Sequence, residues 1–494
     1  MPRPDPISQG TSPADALSRW RPDEPVALLA SGGGSPRARW SILARPTATI
    51  VTPALADLLR VNSDLATLEP AFRGVGGGVG GGAGRLVASG HMRPDAAPPF
   101  VSGWIGWISY ALGAVLEPAV GHFRRSDWPL MVWHRCEGAL VHDAANGRWH
   151  CVGNAPTARL LPASEPNDDL GQPALQGSLA GGPPERYQAM VARGIEYVRA
   201  GDVYQVNLAH TLDGRLAPPP RRFSASLLDR TTPWFGAHVE HVGPDGRGRA
   251  VCSASPESFL EIDAVGAGAA RRIVTRPMKG TLSGDRSPAA LERSSKDRAE
   301  LDMIVDLMRN DLGRVAETGS VHVRERRAIE RHGATAAIGA PGIGTGETGH
   351  ASATGTGVWQ GVATVEGVLR PRVTLAELLK AVFPAGSITG APKIRAMQII
   401  EQLEDRPRGP YCGCVGFIGD DGRVALNVAI RTALVEEASP GDPPLVSYSV
   451  GAGIVADSDP ASEWRETMDK ARGFLDLTTR RSDGAGGYVI SEAC

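Results

Sequence analysis

Two pairs of carboxylates have the residue type and spacing of a metal site. Asp297 and Glu300 lie in KDRAELDMIVDLMRNDL, and Glu463 and Glu466 lie in SEWRETMDKA. Residues three apart on a helix project from the same side, so two such helices would hold Mg²⁺, a hard ion that favours oxygen ligands. Spacing alone leaves the alternative open, because acidic pairs on helices are usually solvated faces.

A lysine and a glutamate on two predicted strands form a second candidate pair. SASPESFLEI and RIVTRPMKGTLSGD have the pattern of two strands joined by a hairpin, from which Glu257 and Lys279 would face one cavity. A buried lysine with a lowered pKa is a nucleophile, and a glutamate is a general acid for a departing hydroxyl. The residue types also allow an ordinary surface salt bridge.

Three further segments suit an anionic ligand. The GAPK run at 390–393 is predicted to open a helix, whose free N–H groups attract carboxylates. Arg431, in NVAIRTALV, is predicted within a strand and would bind a carboxylate through two hydrogen bonds. The run Gly451, Ala452 and Gly453 is predicted as a turn whose backbone amides approach a ligand closely.

Apolar periodicity and capping residues predict the elements that would position these groups. The first acidic pair lies on an amphipathic helix over 296–312. A helix from Pro184 is predicted to end near Gly201, before a half-buried strand with alternate apolar residues at 204–208. Two more helices begin at caps, which are the capping box of Thr374 and Glu377 and the pair Asp459 and Pro460.

Composition is that of an ordinary globular protein. The chain has 494 residues, 42% hydrophobic and 21% charged, with a net charge of −2. This balance does not favour nucleic acid or an anionic membrane as partner. The sequence has neither the roughly 18 unbroken apolar residues of a membrane span nor an apolar signal core, so we expect a cytoplasmic protein. The thinly spread cysteines lack zinc spacing and are predicted to be free thiols.

Glycine- and proline-rich tracts suggest how the chain is divided. We predict an amino-terminal region over 1–152, a linker over 153–183, a main region over 184–477 and a disordered tail over 478–494. A glycine-rich tract at 333–357 is interpreted as an insertion.

Several blocks between residues 184 and 477 resemble, in order, the chorismate-utilising enzymes. These enzymes comprise anthranilate synthase component I, aminodeoxychorismate synthase component I, and the isochorismate and salicylate synthases. The resemblance implies an α+β fold of two packed antiparallel sheets with helices outside, and chorismate bound at a magnesium site in a central cleft. The blocks are GDVYQVNLAH, SPESFL, TRPMKGT, KDRAELDMIVDLMRNDLGRV, GSITGAPKIRAMQIIE, GPYCGCVGFIG, NVAIRTALV, GAGIVADSDP and EWRETMDKA.

The resemblance also implies roles for individual residues. Glu300 and Glu466 match the metal-binding glutamates of the family, and Asp297 and Glu463 match the acids that support them. The implied positions around the substrate are Gln205, Gly280, Thr281, Ser387, Tyr411, Arg431, Gly451, Ala452, Gly453 and Lys470.

Two positions distinguish members of the family. Lys279 lies in PMKGT, which is similar to the PIKGT of aminodeoxychorismate synthases, whereas anthranilate synthases have alanine there. The lysine is implied to attack C2 of chorismate while Glu257 protonates the departing C4 hydroxyl, after which ammonia enters at C4. Gln205 replaces the lysine base of the water-adding members. The resemblance therefore favours aminodeoxychorismate synthase component I, with anthranilate synthase component I or a non-catalytic chorismate- or tryptophan-binding paralogue as alternatives.

The resemblance has two departures, which are Gln360 and the tract at 333–357 in place of a short link, and it implies partners. Gln360 stands where many relatives have histidine, so it would donate a hydrogen bond but carry no charge. The sequence has no segment resembling the G-x-C-x-G nucleophile of a glutamine amidotransferase, so a separate amidotransferase subunit is expected to supply ammonia. A separate aminodeoxychorismate lyase would finish 4-aminobenzoate for folate. Leu28, Leu29 and Ser31 resemble the family's tryptophan-contacting motif only in part, so a bound tryptophan is left open.

Overall fold

The structure is a computed structural model, and most of the chain is described. The predicted tail 478–494, residues 334–356 of the predicted insertion, and much of the predicted linker lie outside the described residues. The described residues are 7, 10–32, 35–75, 97–121, 123–124, 126–155, 160–161, 175–217, 219–266, 270–284, 286–333 and 357–477.

Runs of strands are separated by helices along the described part of the chain. The helices are α1 Pro13–Ser18, α2 Leu58–Phe72, α3 Leu112–Leu116, α4 Pro184–Arg199, α5 Pro220–Thr231, α6 Ala289–Arg293, α7 Ser295–Gly313, α8 Leu375–Val382, α9 Lys393–Leu403 and α10 Pro460–Leu475. The strands are β1 Ala27–Ala30, β2 Trp40–Ala44, β3 Ala48–Thr52, β4 Gly103–Ile108, β5 Met131–Cys136, β6 Gly138–Asp143, β7 Arg148–Gly153, β8 Leu175–Gly181, β9 Gln205–Leu216, β10 Phe235–Val242, β11 Gly248–Ser255, β12 Ser258–Ile262, β13 Arg272–Thr275, β14 Met278–Ser283, β15 His322–His332, β16 Val358–Val368, β17 Gly390–Ala391, β18 Cys414–Gly419, β19 Val424–Asn427, β20 Thr432–Glu436 and β21 Leu445–Ile454.

The strands form two large antiparallel sheets. The first has the order β17-β9-β21-β20-β11-β10-β1-β2-β6-β7, with β8 also paired to β9. The second has the order β14-β16-β13-β12-β19-β18-β4-β5-β3, with β15 also paired to β16. Each sheet takes strands from both sides of residue 152, and β8, inside the segment predicted as a linker, is part of the first sheet. The predicted α+β fold with two antiparallel sheets is confirmed.

A continuous apolar core joins the two sheets. Ile42 of β2 and Val251 of β11, from the first sheet, belong to the same buried cluster as Trp107 of β4 and Val132 of β5, from the second. Helices cover the first sheet through separate apolar clusters, with α4 and α9 in one, α5 and α10 in another and α1 in a third. Burial of these faces removes apolar surface from water and supplies the main driving force for this arrangement.

The two helices with acidic pairs begin at side-chain caps. Ser294 Oγ accepts a hydrogen bond from the Asp297 amide at the start of α7, and Asp459 caps α10 through the amide of Ser462. The apolar face of α7 is buried as predicted, which leaves its acids on another side. The capping box of α8 is also confirmed.

The junction between α4 and β9 is partly as predicted. Gly201 follows α4 with φ +83°, a left-handed conformation that glycine adopts without strain. Tyr204, predicted as an apolar strand position, instead precedes β9 and is 73% exposed. Both Gln205 and Val206 are fully buried, so the start of β9 is covered on both faces and not half-buried. Within the described residues, no helix is long and apolar enough to cross a membrane.

Candidate active site

A cavity of about 200 Å³ lies where β9 and β21 of the first sheet meet β14 and β16 of the second, beneath α7 and α10. Most of the predicted site residues line it, although they come from distant parts of the sequence. Those that line the cavity are Glu257, Lys279, Gly280, Thr281, Asp297, Glu300, Ser387, Tyr411, Arg431, Gly451, Gly453, Glu463, Glu466 and Lys470.

Gly451 and Gly453 lie in a strand and not in the predicted turn. Both belong to β21, where Gly451 pairs with Ala209 and Gly453 with Asn207 of β9. Alternate residues of a strand face opposite sides, so the side chain of Ala452 points away from the cavity into the cluster beneath α4 and α9. The structure therefore corrects the predicted turn, and it places the Ala452 side chain outside the cavity lining.

Glycine at 453 leaves room for two polar side chains. A Cβ atom there would lie 2.4 Å from Nε2 of Gln205 and 2.8 Å from Nζ of Lys279. Gln205 is not among the cavity-lining residues, but it is buried beside Lys279. Neither polar atom of its side chain has a hydrogen-bond partner among the described residues, which is costly for a buried amide.

A bulge turns Lys279 towards the cavity. The register between β14 and β16 shifts between Lys279 and Thr281, and Gly280 has φ +78°. A Cβ atom at Gly280 would lie 2.9 Å from Cγ of Asp297, so glycine allows α7 to approach the strand closely. Bulges commonly redirect a side chain next to an active site.

Lys279 is a largely buried amine close to an acid, with 12% of its side chain exposed. Its Nζ atom lies 4.0 Å from Oε2 of Glu300. Burial lowers the pKa of Lys279, and the charge of Glu300 opposes this to a lesser extent. A lowered pKa increases the fraction of neutral amine, which is the nucleophilic form.

Glu257 has the environment of a general acid. It lies between β11 and β12, and its Oε1 atom accepts a hydrogen bond of 2.6 Å from Oγ of Ser387. Burial raises the pKa of Glu257 to about 7, although Ser387 and then Lys279 act to lower it. A carboxyl with this pKa gives and takes protons readily near neutral pH.

The acidic pairs of α7 and α10 face the same cavity. Burial raises the pKa of Glu300 and of Glu463. The charge of Lys470 lowers the pKa of Glu466, whose Oε1 atom lies 2.8 Å from the Lys470 Nζ atom. That ammonium also donates a hydrogen bond to the carbonyl of Gly451, so α10 is tied to β21.

The donor set of these helices suits a hard divalent ion. Among the described residues, no group of three or more carboxylate, imidazole or thiol side chains forms a closed metal site. Mg²⁺ does not require one, since it is usually held by one or two carboxylates together with water and substrate oxygens. Glu300 and Glu466, which line the cavity from two helices, supply such a pair.

Arg431 is positioned differently from the prediction. It precedes β20 and does not lie within a strand, and its φ is +50°. It lines the cavity, and burial lowers the pKa of its guanidinium. No carboxylate of the described residues lies within ion-pair distance of Arg431. A partly buried guanidinium without a carboxylate partner among the described residues is well suited to a ligand carboxylate.

The predicted anion site at the start of α9 is not part of the cavity. Lys393 is turned away and pairs with the buried Asp311, with 2.6 Å between Nζ and Oδ2. Sequence reasoning also missed Asn207, Lys296 and Ser449, which line the cavity. The alternation of β9 would have indicated Asn207, and the four-residue spacing to Glu300 would have indicated Lys296.

Gln360 faces the cavity from β16. It lies opposite Thr281 in the register, and its Nε2 atom donates a hydrogen bond of 3.4 Å to the Thr281 hydroxyl. The expectation that this glutamine donates a hydrogen bond is confirmed. Its Oε1 atom is buried without a partner among the described residues.

Comparison with known proteins identifies a family that the chain resembles over most of its length. The family model described as chorismate binding enzyme matches residues 85–336 and 353–476. Aminodeoxychorismate synthase component 1 of Klebsiella aerogenes is 32% identical over 94% of this chain and 98% of the relative. An anthranilate synthase component 1 of Haloarcula marismortui is 36% identical over 71% of this chain, but that match spans only 60% of the relative.

A solved structure shows the same fold. The crystal structure of anthranilate synthase component I from Streptococcus pneumoniae matches with a TM-score of 0.62 at 25% identity, covering 96% of this chain and 99% of the other. The shared fold, the extent of the family match and the residues that converge on the cavity lead to one conclusion. The chain belongs to the family of chorismate-binding enzymes.

Proposed function

We propose that this enzyme is aminodeoxychorismate synthase component I, which converts chorismate and ammonia into 4-amino-4-deoxychorismate. One observation carries the proposal, namely that Lys279 and Glu257 line the same cavity, where the Lys279 amine is largely withdrawn from solvent and feels the charge of Glu257. An enzyme that adds ammonia directly at C2 has no need of an amine at this position.

The proposed reaction has two allylic substitutions. Neutral Lys279 forms a bond to C2, the two ring double bonds shift, and the C4–O bond breaks as Glu257 gives its proton to the departing hydroxyl. Ammonia then bonds to C4, the double bonds return, and the C2–N bond breaks to release the neutral lysine. Glu257, now a carboxylate, takes the surplus proton of the new amine, so the enzyme returns to its starting state.

Magnesium and the cationic side chains would position the substrate. We propose that Glu300 and Glu466 hold Mg²⁺, with Asp297 and Glu463 in support. The ion would bind a ring carboxylate and stabilise the negative charge that develops during substitution. Arg431, which lines the same cavity, would supply a second group that binds a carboxylate.

Anthranilate synthase is the second candidate. The Haloarcula marismortui relative carries that name, as does the structure from Streptococcus pneumoniae. In that reaction one direct attack places nitrogen at C2. Lys279 favours the route with two substitutions. The first substitution bonds the lysine to C2, and the second then places the ammonia nitrogen at C4.

The proposal includes partners that handle the nitrogen and the product. A glutamine amidotransferase subunit would supply ammonia in the cytoplasm. A separate aminodeoxychorismate lyase would convert the product into 4-aminobenzoate for folate synthesis.

A product assay tests the proposal. The purified chain is incubated with chorismate, Mg²⁺ and ammonium at alkaline pH, then treated with aminodeoxychorismate lyase, and products are identified by mass and fluorescence. Formation of 4-aminobenzoate only after lyase addition supports the proposal. Formation of 2-aminobenzoate without the lyase would instead identify an anthranilate synthase, and unconsumed chorismate would indicate a binding paralogue.

A further inference from the structure

Lys296 joins the two acidic helices across the edge of the cavity. Its Nζ atom lies 4.0 Å from Oε1 of Glu300 on its own helix α7 and 3.9 Å from Oε1 of Glu463 on α10. It lines the same cavity as both acids. One ammonium group therefore lies between the carboxylates of the two pairs.

The exposure of these three side chains is unequal. The side chains of Glu300 and Glu463 are 14% and 5% exposed, whereas that of Lys296 is 55% exposed. The carboxylates are held in the wall of the cavity, but the lysine reaches them from solvent along a flexible four-carbon stem. It can leave them at little cost in buried surface.

We propose that Lys296 is a displaceable counter-cation of the acidic pairs, which a divalent ion replaces when it binds between α7 and α10. An ammonium and Mg²⁺ both within about 4 Å of the same carboxylates would repel each other strongly. Binding of the ion is then an exchange of cations. This inference rests on the magnesium site of the proposed function and assigns Lys296 a positioning role towards it.

The exchange has two measurable consequences. Lys296 should weaken Mg²⁺ binding, because its own attraction to Glu300 and Glu463 is lost when the ion enters. It should also stabilise the chain in the absence of the ion, because it offsets repulsion between carboxylates on α7 and α10. A lysine with only a structural role would produce the second effect without the first.

Calorimetric titration of MgCl₂ into the full chain, without chorismate or ammonia, tests this inference. We expect Lys296→Met to bind Mg²⁺ about tenfold more tightly than the unaltered chain, since two partly exposed ion pairs no longer have to be broken when the ion enters. Lys296→Arg, which keeps the charge, should bind like the unaltered chain. Lys380→Met, at an exposed position on α8, is the matched control.

A thermal scan of each protein with and without Mg²⁺ completes the experiment. Lys296→Met should unfold at a lower temperature without the ion and gain more from its addition than the unaltered chain. Equal or weaker Mg²⁺ binding by a folded Lys296→Met variant overturns the inference and leaves the proposed function standing. Absence of Mg²⁺ binding in both proteins, also when the titration is repeated with chorismate present, overturns the magnesium site as well.

Discussion

The Ser387 hydroxyl donates a hydrogen bond of 2.6 Å to the carboxyl of Glu257, from 130 positions away in the sequence. Both residues are buried. The bond fixes the orientation of the carboxyl and favours its charged form, while burial, the larger effect, raises the pKa of Glu257 to about 7. Glu257 is thus poised to give a proton in one step and take one in the next.

Ser387→Ala should move the basic limb of the pH–rate profile. In the unaltered enzyme, kcat/KM should fall as pH rises through about 7, because the acid form of Glu257 is lost. Removing the hydrogen bond raises the pKa further, so the limb should shift to higher pH. The profile of Ser449→Ala is the control, since that hydroxyl lines the cavity but pairs with Thr211. If the basic limb of the Ser387→Ala profile stays at the same pH, Glu257 is not the group whose ionisation causes that limb.

Glu257→Gln should make the folded state less sensitive to pH. The pKa of Glu257 is raised on folding, from 4.5 to about 7, so ionisation of this group costs stability as pH rises through that window. The free energy of unfolding of the glutamine variant, relative to the unaltered chain, should therefore increase by about 2 kcal/mol between pH 5 and pH 8. Urea unfolding at both pH values measures it, and a constant difference contradicts the assignment.

Lys279→Ala should reduce formation of 4-aminobenzoate by at least about 10³-fold, because the proposed route has no other nucleophile. Intact-mass spectrometry of the unaltered enzyme with chorismate and Mg²⁺, but without ammonia, should detect a covalent adduct that the variant lacks. Lys279→Arg keeps a positive charge near Glu300 and should be equally inactive. Activity in the alanine variant close to that of the unaltered enzyme would contradict the lysine route.

Gly453→Ala should impair the reaction more than the fold. The added methyl group would displace Nε2 of Gln205 and Nζ of Lys279, so we expect kcat to fall by about 10²-fold while most of the stability is kept. Gly313→Ala is the matched control, because a Cβ atom there meets nothing within 4 Å. Steady-state kinetics and thermal unfolding of both variants separate the two effects.

Local patterns in the sequence predict the helices well. The apolar spacing of α7, the capping box of Thr374 and the cap at Asp459 depend on residues within a few positions of one another. The conformations that the sequence did not predict depend on distant partners. Gly451 and Gly453 read as a turn, but pairing with β9, more than 200 positions earlier, makes them part of a strand.

The same reason explains the misplaced cations. Nothing near Lys393 in the sequence indicates that Asp311, on another helix, would bind it, and nothing near Arg431 indicates its left-handed backbone. Most of the predicted site residues do line the cavity. They were predicted from the family resemblance and not from their spacing in the sequence. Lys296 was missed although its spacing to Glu300 was visible.

Arg408→Lys should weaken the hydrogen bonds that hold the backbone of the cavity wall in place. Arg408 pairs with the buried Glu404 and donates hydrogen bonds to the carbonyls of Ile388 and Asn207, which line the cavity. Lysine keeps the charge but cannot reproduce this planar set of donors. We expect a loss of about 2 kcal/mol in the free energy of unfolding and a lower kcat. Arg406→Lys, at an exposed pair with Asp213, should change neither, and equal stability of the two variants would contradict the prediction.

The position of β21 in the first sheet determines when the enzyme can become active during its synthesis. β21 lies between β9 and β20, yet its residues 445–454 are among the last of the described chain to leave the ribosome. Until they do, β9 and β20 lack the neighbour that joins them, and the acids of α10 come later still. One edge of β9 must therefore wait unpaired while more than 200 further residues are translated, and an unpaired strand edge exposes a nascent chain to aggregation.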